Sequence, residues 1–173
     1  MEISSHRFIL KPLSVDDVSE RYVGWLGDHD ARRFISAAAT QPTLEELRQF
    51  VRERSGREDV LFLGIFEKAT GMHIGNIKYE PVNSELGYAI MGILVGERAW
   101  RGKGVATEVL LASADWLSRN RTIRQIVLGV SRANTAAILT YQKVGFVEAS
   151  TRFIPTVSPE NLTMVWNLKE SQP

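Results

Sequence analysis

Residues 93–107 read Ile93-Leu94-Val95-Gly96-Glu97-Arg98-Ala99-Trp100-Arg101-Gly102-Lys103-Gly104-Val105-Ala106-Thr107. The period changes within this stretch. Ile93, Leu94 and Val95 end an apolar run that begins at Leu86 and suits a strand, whereas Val105, Val109, Ala112 and Trp116, with Leu110 and Leu117 beside them, recur at helical spacing. A strand therefore feeds a helix through a turn that holds Gly102 and Gly104. Those glycines and the small Ala106 let a ligand approach the backbone, and the unpaired amides and dipole of a helix start favour an anion. Arg98, Arg101 and Lys103 add positive charge, so a phosphate or pyrophosphate is the natural guest. A solvated basic turn that merely starts a helix is the plainer alternative.

Upstream, the strand period runs through Leu61–Phe66, a turn at Thr70-Gly71, His73–Tyr79 and Leu86–Val95, which predicts an antiparallel meander. Phe8-Ile9-Leu10 is a shorter strand stopped by Pro12. Val15, Val18, Tyr22, Trp25 and Leu26 then predict one amphipathic helix, and the capping-box spacing Thr43 to Glu46, followed by Leu47, Phe50 and Val51, predicts a second that ends near Gly56. Downstream come a buried strand at Ile123–Val130, a helix at Thr135–Val144 ended by Gly145, and closing strands at Phe146–Ile154 and Leu162–Leu168. The order β-α-α-β-β-β-α-β-α-β-β predicts an α+β (mixed α/β) fold with one central sheet. No repeat, linker or low-complexity tract divides the chain, which reads as one domain over residues 1–173.

Composition narrows the function. The net charge is 21 − 20 = +1, 44% of residues are hydrophobic and there is no cysteine, so thiol chemistry and thiolate metal sites are excluded. A dedicated nucleic-acid binder would carry a clear basic excess. A chain of this length buries roughly 70% of its unfolded surface and needs no staples. The N-terminal MEISSHRFILKPL is charged where a secretory signal is apolar, and no window approaches the ~20 apolar residues of a membrane span, so a cytoplasmic protein without membrane contact is expected. His29 between Asp28 and Asp30 lacks metal-ligand spacing, and no metal site is expected.

Two common phosphate loops fail to match. A P-loop would need a hydroxyl where Gly104 follows Lys103, and a dinucleotide fingerprint would need glycine where Thr107 stands. Arg101-x-x-Gly104-x-Ala106 instead resembles the Q/R-x-x-G-x-G/A acetyl-CoA loop of the GNAT superfamily of N-acetyltransferases. Downstream, Asn134-Thr-Ala-Ala-Ile-Leu-Thr-Tyr141-Gln-Lys-Val-Gly145-Phe146 is similar to that family's N-x-x-A-x-x-x-Y-x-K-x-G-F segment. Seven helical residues advance about 700°, which sets Asn134 and Tyr141 on one side roughly 10 Å apart. In isolation Asn134 reads as a helix cap and Tyr141 as a core tyrosine; the glycine loop upstream favours the functional reading. Tyr22-Val-Gly-Trp25-Leu26-Gly-Asp28, His73–Lys78 and Gly92–Gly96 resemble the branch holding ribosomal-protein N-terminal and sugar-nucleotide acetyltransferases.

The resemblance implies a single domain whose mostly antiparallel sheet splays between Leu86–Val95 and Ile123–Val130, flanked by helices, with acetyl-CoA in the splay. It implies a bulge at Ile93, Leu94 and Val95 facing pantetheine, and a pyrophosphate wrapped by Arg101, Gly102, Lys103, Gly104, Val105, Ala106 and Thr107. Asn134 and Tyr141 join the coenzyme site. By family precedent Tyr141 protonates the departing sulfur and the Leu94 amide holds the thioester oxygen. Relatives often carry a glutamate where Ile90 stands, which leaves Glu80, Glu85 and His73 as base candidates, each with a plainer structural reading. The acceptor is expected to be a small-molecule amine, a nucleotide-linked amino sugar ahead of a protein N-terminus, met by Asp28, Arg32 and Arg33 beside Trp25 and Phe34. An ordinary polar loop is an equal reading of that segment, and a non-catalytic acyl-CoA-binding module is the competing class.

Overall fold

The computed structural model describes residues 1–29, 41–154 and 158–168. Its elements are β1 (Ile3–Ser4), β2 (Phe8–Pro12), α1 (Glu20–Leu26), α2 (Leu44–Arg52), β3 (Leu61–Glu67), β4 (His73–Asn83), β5 (Tyr88–Val95), α3 (Val105–Arg121), β6 (Gln125–Ser131), α4 (Thr135–Val144), β7 (Val147–Glu148) and β8 (Asn161–Asn167). The strands form one sheet in the order β1-β2-β3-β4-β5-β6-β8-β7. Every neighbouring pair is antiparallel except β5 and β6. This is the mixed α/β sheet flanked by helices that the periodicities predict.

Alternation along the strands divides the core into two layers. On one face, Tyr22, Trp25 and Leu26 of α1 and Leu47 and Val51 of α2 pack with Phe62 and Leu94. On the other, Val105, Val109, Leu110, Ala114 and Leu117 of α3 cover Ile77, Tyr79, Ala89, Met91, Ile126 and Leu128. The one hydroxyl chain in that second layer is satisfied internally: Tyr79 donates to Ser113 Oγ at 2.7 Å, and Ser113 donates to the Val109 carbonyl at 2.6 Å. No helix among the described residues is long and apolar enough to cross a membrane.

The opening that matters for function lies between β5 and β6. Their parallel pairing covers only Tyr88↔Gln125, Ala89↔Ile126 and Ile90↔Val127. Beyond it, Leu128 to Ser131 pair with β8 alone, while Met91 to Val95 pair with β4 alone. The β4–β5 register is unbroken from Tyr79↔Met91 to Gly75↔Val95, so the bulge expected at Ile93–Val95 is absent. The irregularity falls instead between Tyr79 and Val82, where Glu80 and Pro81 together face Ile90. Pro81 has no N–H to give the ladder, which is why the extra residue sits there.

Two further expectations change. The single helix from Val15 to Leu26 is a 3-10 turn (Val15–Asp17) followed by α1, because Asp17 accepts from the Ser14 amide at 2.9 Å and Ser19 Oγ accepts from the Tyr22 amide at 3.3 Å. Each serine starts its own short helix. The strand expected over Phe146–Ile154 is ordered as a ladder only at β7, with a lone Thr151↔Ile154 bridge beyond. Phe153 there turns back over the sheet and stacks on Tyr88, with ring centroids 3.7 Å apart.

Candidate active site

Which backbone groups line the opening follows from the ladder. In an antiparallel pair, opposed residues alternate between those that exchange hydrogen bonds and those that do not. The Gly96 amide donates to the opposed Ile74 carbonyl at 2.9 Å, so Asn76↔Leu94 is also a bonded pair, whereas Gly75↔Val95 and Ile77↔Ile93 are not. The other end of β5 agrees. The Gly87 carbonyl accepts from the Gln125 amide of β6 at 3.0 Å, and odd-numbered residues of β5 share that direction. Ile93 and Val95 therefore turn their backbone toward the gap. The Leu94 amide turns into β4, and a Cβ added to Gly75 would collide with the Leu94 carbonyl there. The thioester-holding role expected of Leu94 is corrected on this ground: the amides facing the opening belong to Ile93 and Val95.

At the mouth of the gap stands the glycine turn. Gly102 (φ 70°) and Gly104 (φ 75°) are both left-handed, and Gly104 caps α3. Nothing lies within 4 Å of a Cβ placed on Gly102, and only Arg7 Nη2, at 3.7 Å, approaches one on Gly104. The loop thus leaves open space beside the free amides that begin a 17-residue helix. Val105 is buried and anchors the turn, Ala106 and Thr107 are half-buried, and Lys103 is exposed.

Two arginines hold this loop from behind. Arg101 donates to the Val95 and Gly96 carbonyls, both at 3.1 Å, and its Nη1 lies 3.5 Å from Asp28. Its guanidinium ties the end of β5 to the turn, rather than standing in solvent as a phosphate ligand. Arg7 donates to the Lys103 carbonyl at 2.9 Å and to Glu108 at 2.7 Å, and Glu108 also accepts from the Arg7 amide at 2.6 Å and Ser5 Oγ at 2.7 Å. Partial burial alone would raise the Glu108 carboxyl, but these hydrogen bonds outweigh it and hold the pKa below the usual carboxylate range. Arg7 and Glu108 were not singled out from the sequence. An acid in the first helical turn was legible; a partner 101 residues away was not.

The α4 residues are placed differently. Asn134 caps α4, its Oδ1 accepting from the Ala137 amide at 3.3 Å. Tyr141 packs its ring against the α3-side core, 5.6 Å from Phe146. Burial pushes its phenol up to about 12. Among the described residues its hydroxyl has no hydrogen-bond partner.

None of the three base candidates stands at the opening as a ready acceptor of protons. Glu80 receives Lys78 at 2.7 Å, Arg54 at 2.9 Å and Arg57 at 3.4 Å. Its partial burial works upward, but the Lys78 and Arg54 bonds prevail and the pKa is lowered. His73 is embedded among the rings of Phe66, Trp25 and Tyr22, and burial lowers its pKa against the 2.8 Å contact with Asn76 Oδ1. Glu85 is exposed in the turn before β5. Asp28 is also committed: Arg98 meets it at 2.8 Å through Nε and 2.7 Å through Nη2, and its side chain is 10% exposed. Its expected role in holding the acceptor amine is replaced by that of a counter-ion to Arg98 and Arg101. Arg32, Arg33 and Phe34 lie outside the described residues.

Comparison with known proteins gives a consistent picture. Residues 7–147 match the family model for the acetyltransferase (GNAT) domain. A curated relative, the N-acetyltransferase 9-like protein of Caenorhabditis briggsae, is 24% identical over 162 residues, covering 87% of this chain and 79% of its own. Among solved structures, RimL, a ribosomal L7/L12 alpha-N-protein acetyltransferase in complex with coenzyme A, superposes with a TM-score of 0.83 at 15% identity, covering 99% of this chain and 100% of the other. The aminoglycoside acetyltransferase AAC(6')-Ib with coenzyme A gives 0.74 at 20% identity, over 92% and 94% of the two chains.

Proposed function

This chain belongs to the acetyltransferase (GNAT) family, and we propose that it moves an acetyl group from acetyl-CoA to the primary amine of a small molecule, a nucleotide-linked amino sugar being the leading acceptor class. The observation that carries the reading is the unpaired edge of β5, where Ile93 and Val95 offer amides beside the glycine-started helix α3. Acetyl-CoA supplies the acyl group, activated as a thioester.

The residues divide the work as follows. The amides of α3's first turn, with Lys103, hold the pyrophosphate, and Arg7 and Arg101 fix the loop that presents them. Ile93 and Val95 meet the pantetheine arm and the thioester oxygen, a preorganised donor arrangement of the kind that stabilises developing negative charge. Tyr141 stays protonated at neutral pH and offers its proton to the sulfur. With Glu80 bound by three cations, the acceptor amine loses its proton to water, and only its neutral fraction attacks.

A panel read by thiol release tests this: acetyl-CoA with nucleotide-linked amino sugars, peptides with free N-termini, and polyamines. Turnover with the amino sugars alone supports the proposal. Turnover with peptides alone moves the acceptor to protein N-termini, and coenzyme binding without turnover on any amine leaves an acyl-CoA-binding module.

A further inference from the structure

A cavity of about 490 Å³ lies on the face of the sheet away from α3. Gln125 of β6 and Val165 and Asn167 of β8 line it, and they alternate with Ile126, Met164 and Trp166, which pack on the α3 side. The loop from Ala149 to Phe153 forms its outer wall, and Gly87 and Arg124 close its end. Leu94 and the open Gly92 of β5 share this face of the sheet, because residues 88, 90, 92 and 94 all alternate with the α3-facing Ala89, Met91 and Ile93. Beyond Ile90, where the sheet parts, the cavity and the gap are therefore reached along one surface.

Its charge is one-sided. Arg124 and Arg152 both line it, and no Asp or Glu does. Neither arginine makes an ion pair among the described residues, whereas Arg7, Arg54, Arg57, Arg98, Arg101 and Arg132 all do. The nearest acids in sequence do not compensate: Glu148 is held by Arg132 at 3.0 Å, and Glu85 belongs to the turn preceding Leu86.

The arginines are also anchored. The Arg124 amide donates to the Gly87 carbonyl and its carbonyl accepts from Leu168, both at 2.8 Å. Its guanidinium lies on Gly87 (φ 71°), where an added Cβ would stand 3.0 Å from Nη2. Arg152 sits 5.0 Å from the Phe153 ring, itself stacked on Tyr88. Gln125 Nε2 donates to Asn167 Oδ1 at 2.9 Å, which leaves the Asn167 amide nitrogen as a further donor.

We propose that this cavity binds an anionic group of the acceptor, a phosphate or carboxylate, with Arg124 and Arg152 as the charge-reading pair. The inference rests on the acetyltransferase reading for the word acceptor, and on the cavity alone for the anion. Five residues of extended strand separate Tyr88 from Ile93, about 17 Å, so the anion lies that far from the amine. Polycationic amines are disfavoured by the same two charges.

The test uses the whole protein saturated with coenzyme A, so that the glycine loop is filled. Inorganic pyrophosphate, succinate and spermidine are titrated separately while the side-chain amide NMR signals of Gln125 and Asn167 are followed. Pyrophosphate or succinate should shift them saturably and spermidine should not. Pyrophosphate acting alone assigns a phosphate, and succinate acting alone assigns a carboxylate. The Arg124→Gln/Arg152→Gln variant should weaken the binding at least tenfold with coenzyme affinity unchanged, and Arg124→Lys/Arg152→Lys should recover part of it. Absence of a saturable shift, or equal shifts in the glutamine variant, overturns the proposal. No turnover enters this measurement, so failure to acetylate any amine would defeat the functional reading and leave the anion site standing. With an active anionic acceptor, the glutamine variant should raise KM at least tenfold and change kcat by less than threefold; the reverse pattern refutes the acceptor role.

Discussion

Gly75→Ala tests the geometry of the opening most directly. A methyl group at this position meets backbone rather than a movable side chain: it would collide with the Leu94 carbonyl and lie 3.1 Å from Val95 Cα. No rotamer change relieves that contact, so β5 must move away from β4 at the residues that face the gap. Overpacking of this kind costs about 1–3 kcal/mol, and an obstacle made of backbone places the cost near the upper end. At about 2–4 °C per kcal/mol for a chain of this size, Tm should fall by roughly 6–12 °C. A displacement of about 1 Å at Ile93 and Val95 should also lower kcat/KM by about 10²-fold when assayed well below the variant's Tm. Gly92→Ala, two residues from Leu94, meets nothing within 4 Å and should change stability by no more than about 0.5 kcal/mol. Thermal melts and thiol-release kinetics on both variants suffice. A Gly75→Ala protein that loses stability and keeps kcat/KM within threefold would show that this edge of β5 does not hold the reacting group.

Gly104→Asp should abolish coenzyme A binding by calorimetry, because φ 75° strains any side chain and the new carboxylate faces the anion; Lys103→Ala should weaken binding only slightly, as an exposed charge does. Glu108→Gln should cost about 1 kcal/mol by urea unfolding at neutral pH, since the Arg7 half of the pair is partly exposed, and should raise KM for acetyl-CoA more than it lowers kcat. Because the folded Glu108 carboxyl titrates below its unfolded value near 4.3, its stabilisation is present above that pH and is lost as pH falls through the folded pKa; the glutamine variant should show a shallower acid slope. Tyr141→Phe should lower kcat by about 10²-fold with little change in coenzyme affinity, and since the phenol titrates at about 12 the wild-type rate should show no descending limb from this group below pH 10. Asp28→Asn should weaken the Arg98 and Arg101 contacts and raise KM for acetyl-CoA rather than for the acceptor, measured by varying each substrate in turn.

Residues 93–107 made the strand, the turn and the helix legible because period and glycine placement are local properties. Gly102 and Gly104 adopt the left-handed conformations that only glycine takes without strain, and α3 begins at Val105, where helical spacing begins. The meander was legible for the same reason: Leu63, Ile65 and Ile77 are fully buried strand residues flanked by turn signals. Serine capping defeated the single helix over Val15–Leu26, since spacing records which face is apolar and not whether the backbone between two apolar residues is interrupted. The stretch Phe146–Ile154 reads as strand, but Phe153 stacks on Tyr88 of β5, 65 positions earlier, a contact that no local pattern records.

Leu94 shows where sequence information stops. A strand's alternation reveals which side chains face together, and Leu94 does share its face with the α1–α2 layer. Backbone direction is a separate parity, fixed by which opposed pair exchanges hydrogen bonds with β4, and that depends on register, a relation between two segments. The Gly96–Ile74 bond sets it at one end and the Gly87–Gln125 bond at the other. A one-residue slip in that register would return the amide facing the gap to Leu94. Nothing in Ile93-Leu94-Val95 itself distinguishes the two cases. The same dependence governs Asp28 and Arg101, whose charges suggested ligand contacts when read singly and which the fold sets against each other and against the carbonyls of Val95 and Gly96. Charges that neutralise one another across the fold build the frame of the site, whereas Arg124 and Arg152, like Lys103 at the glycine turn, make no ion pair among the described residues and remain open to an anion.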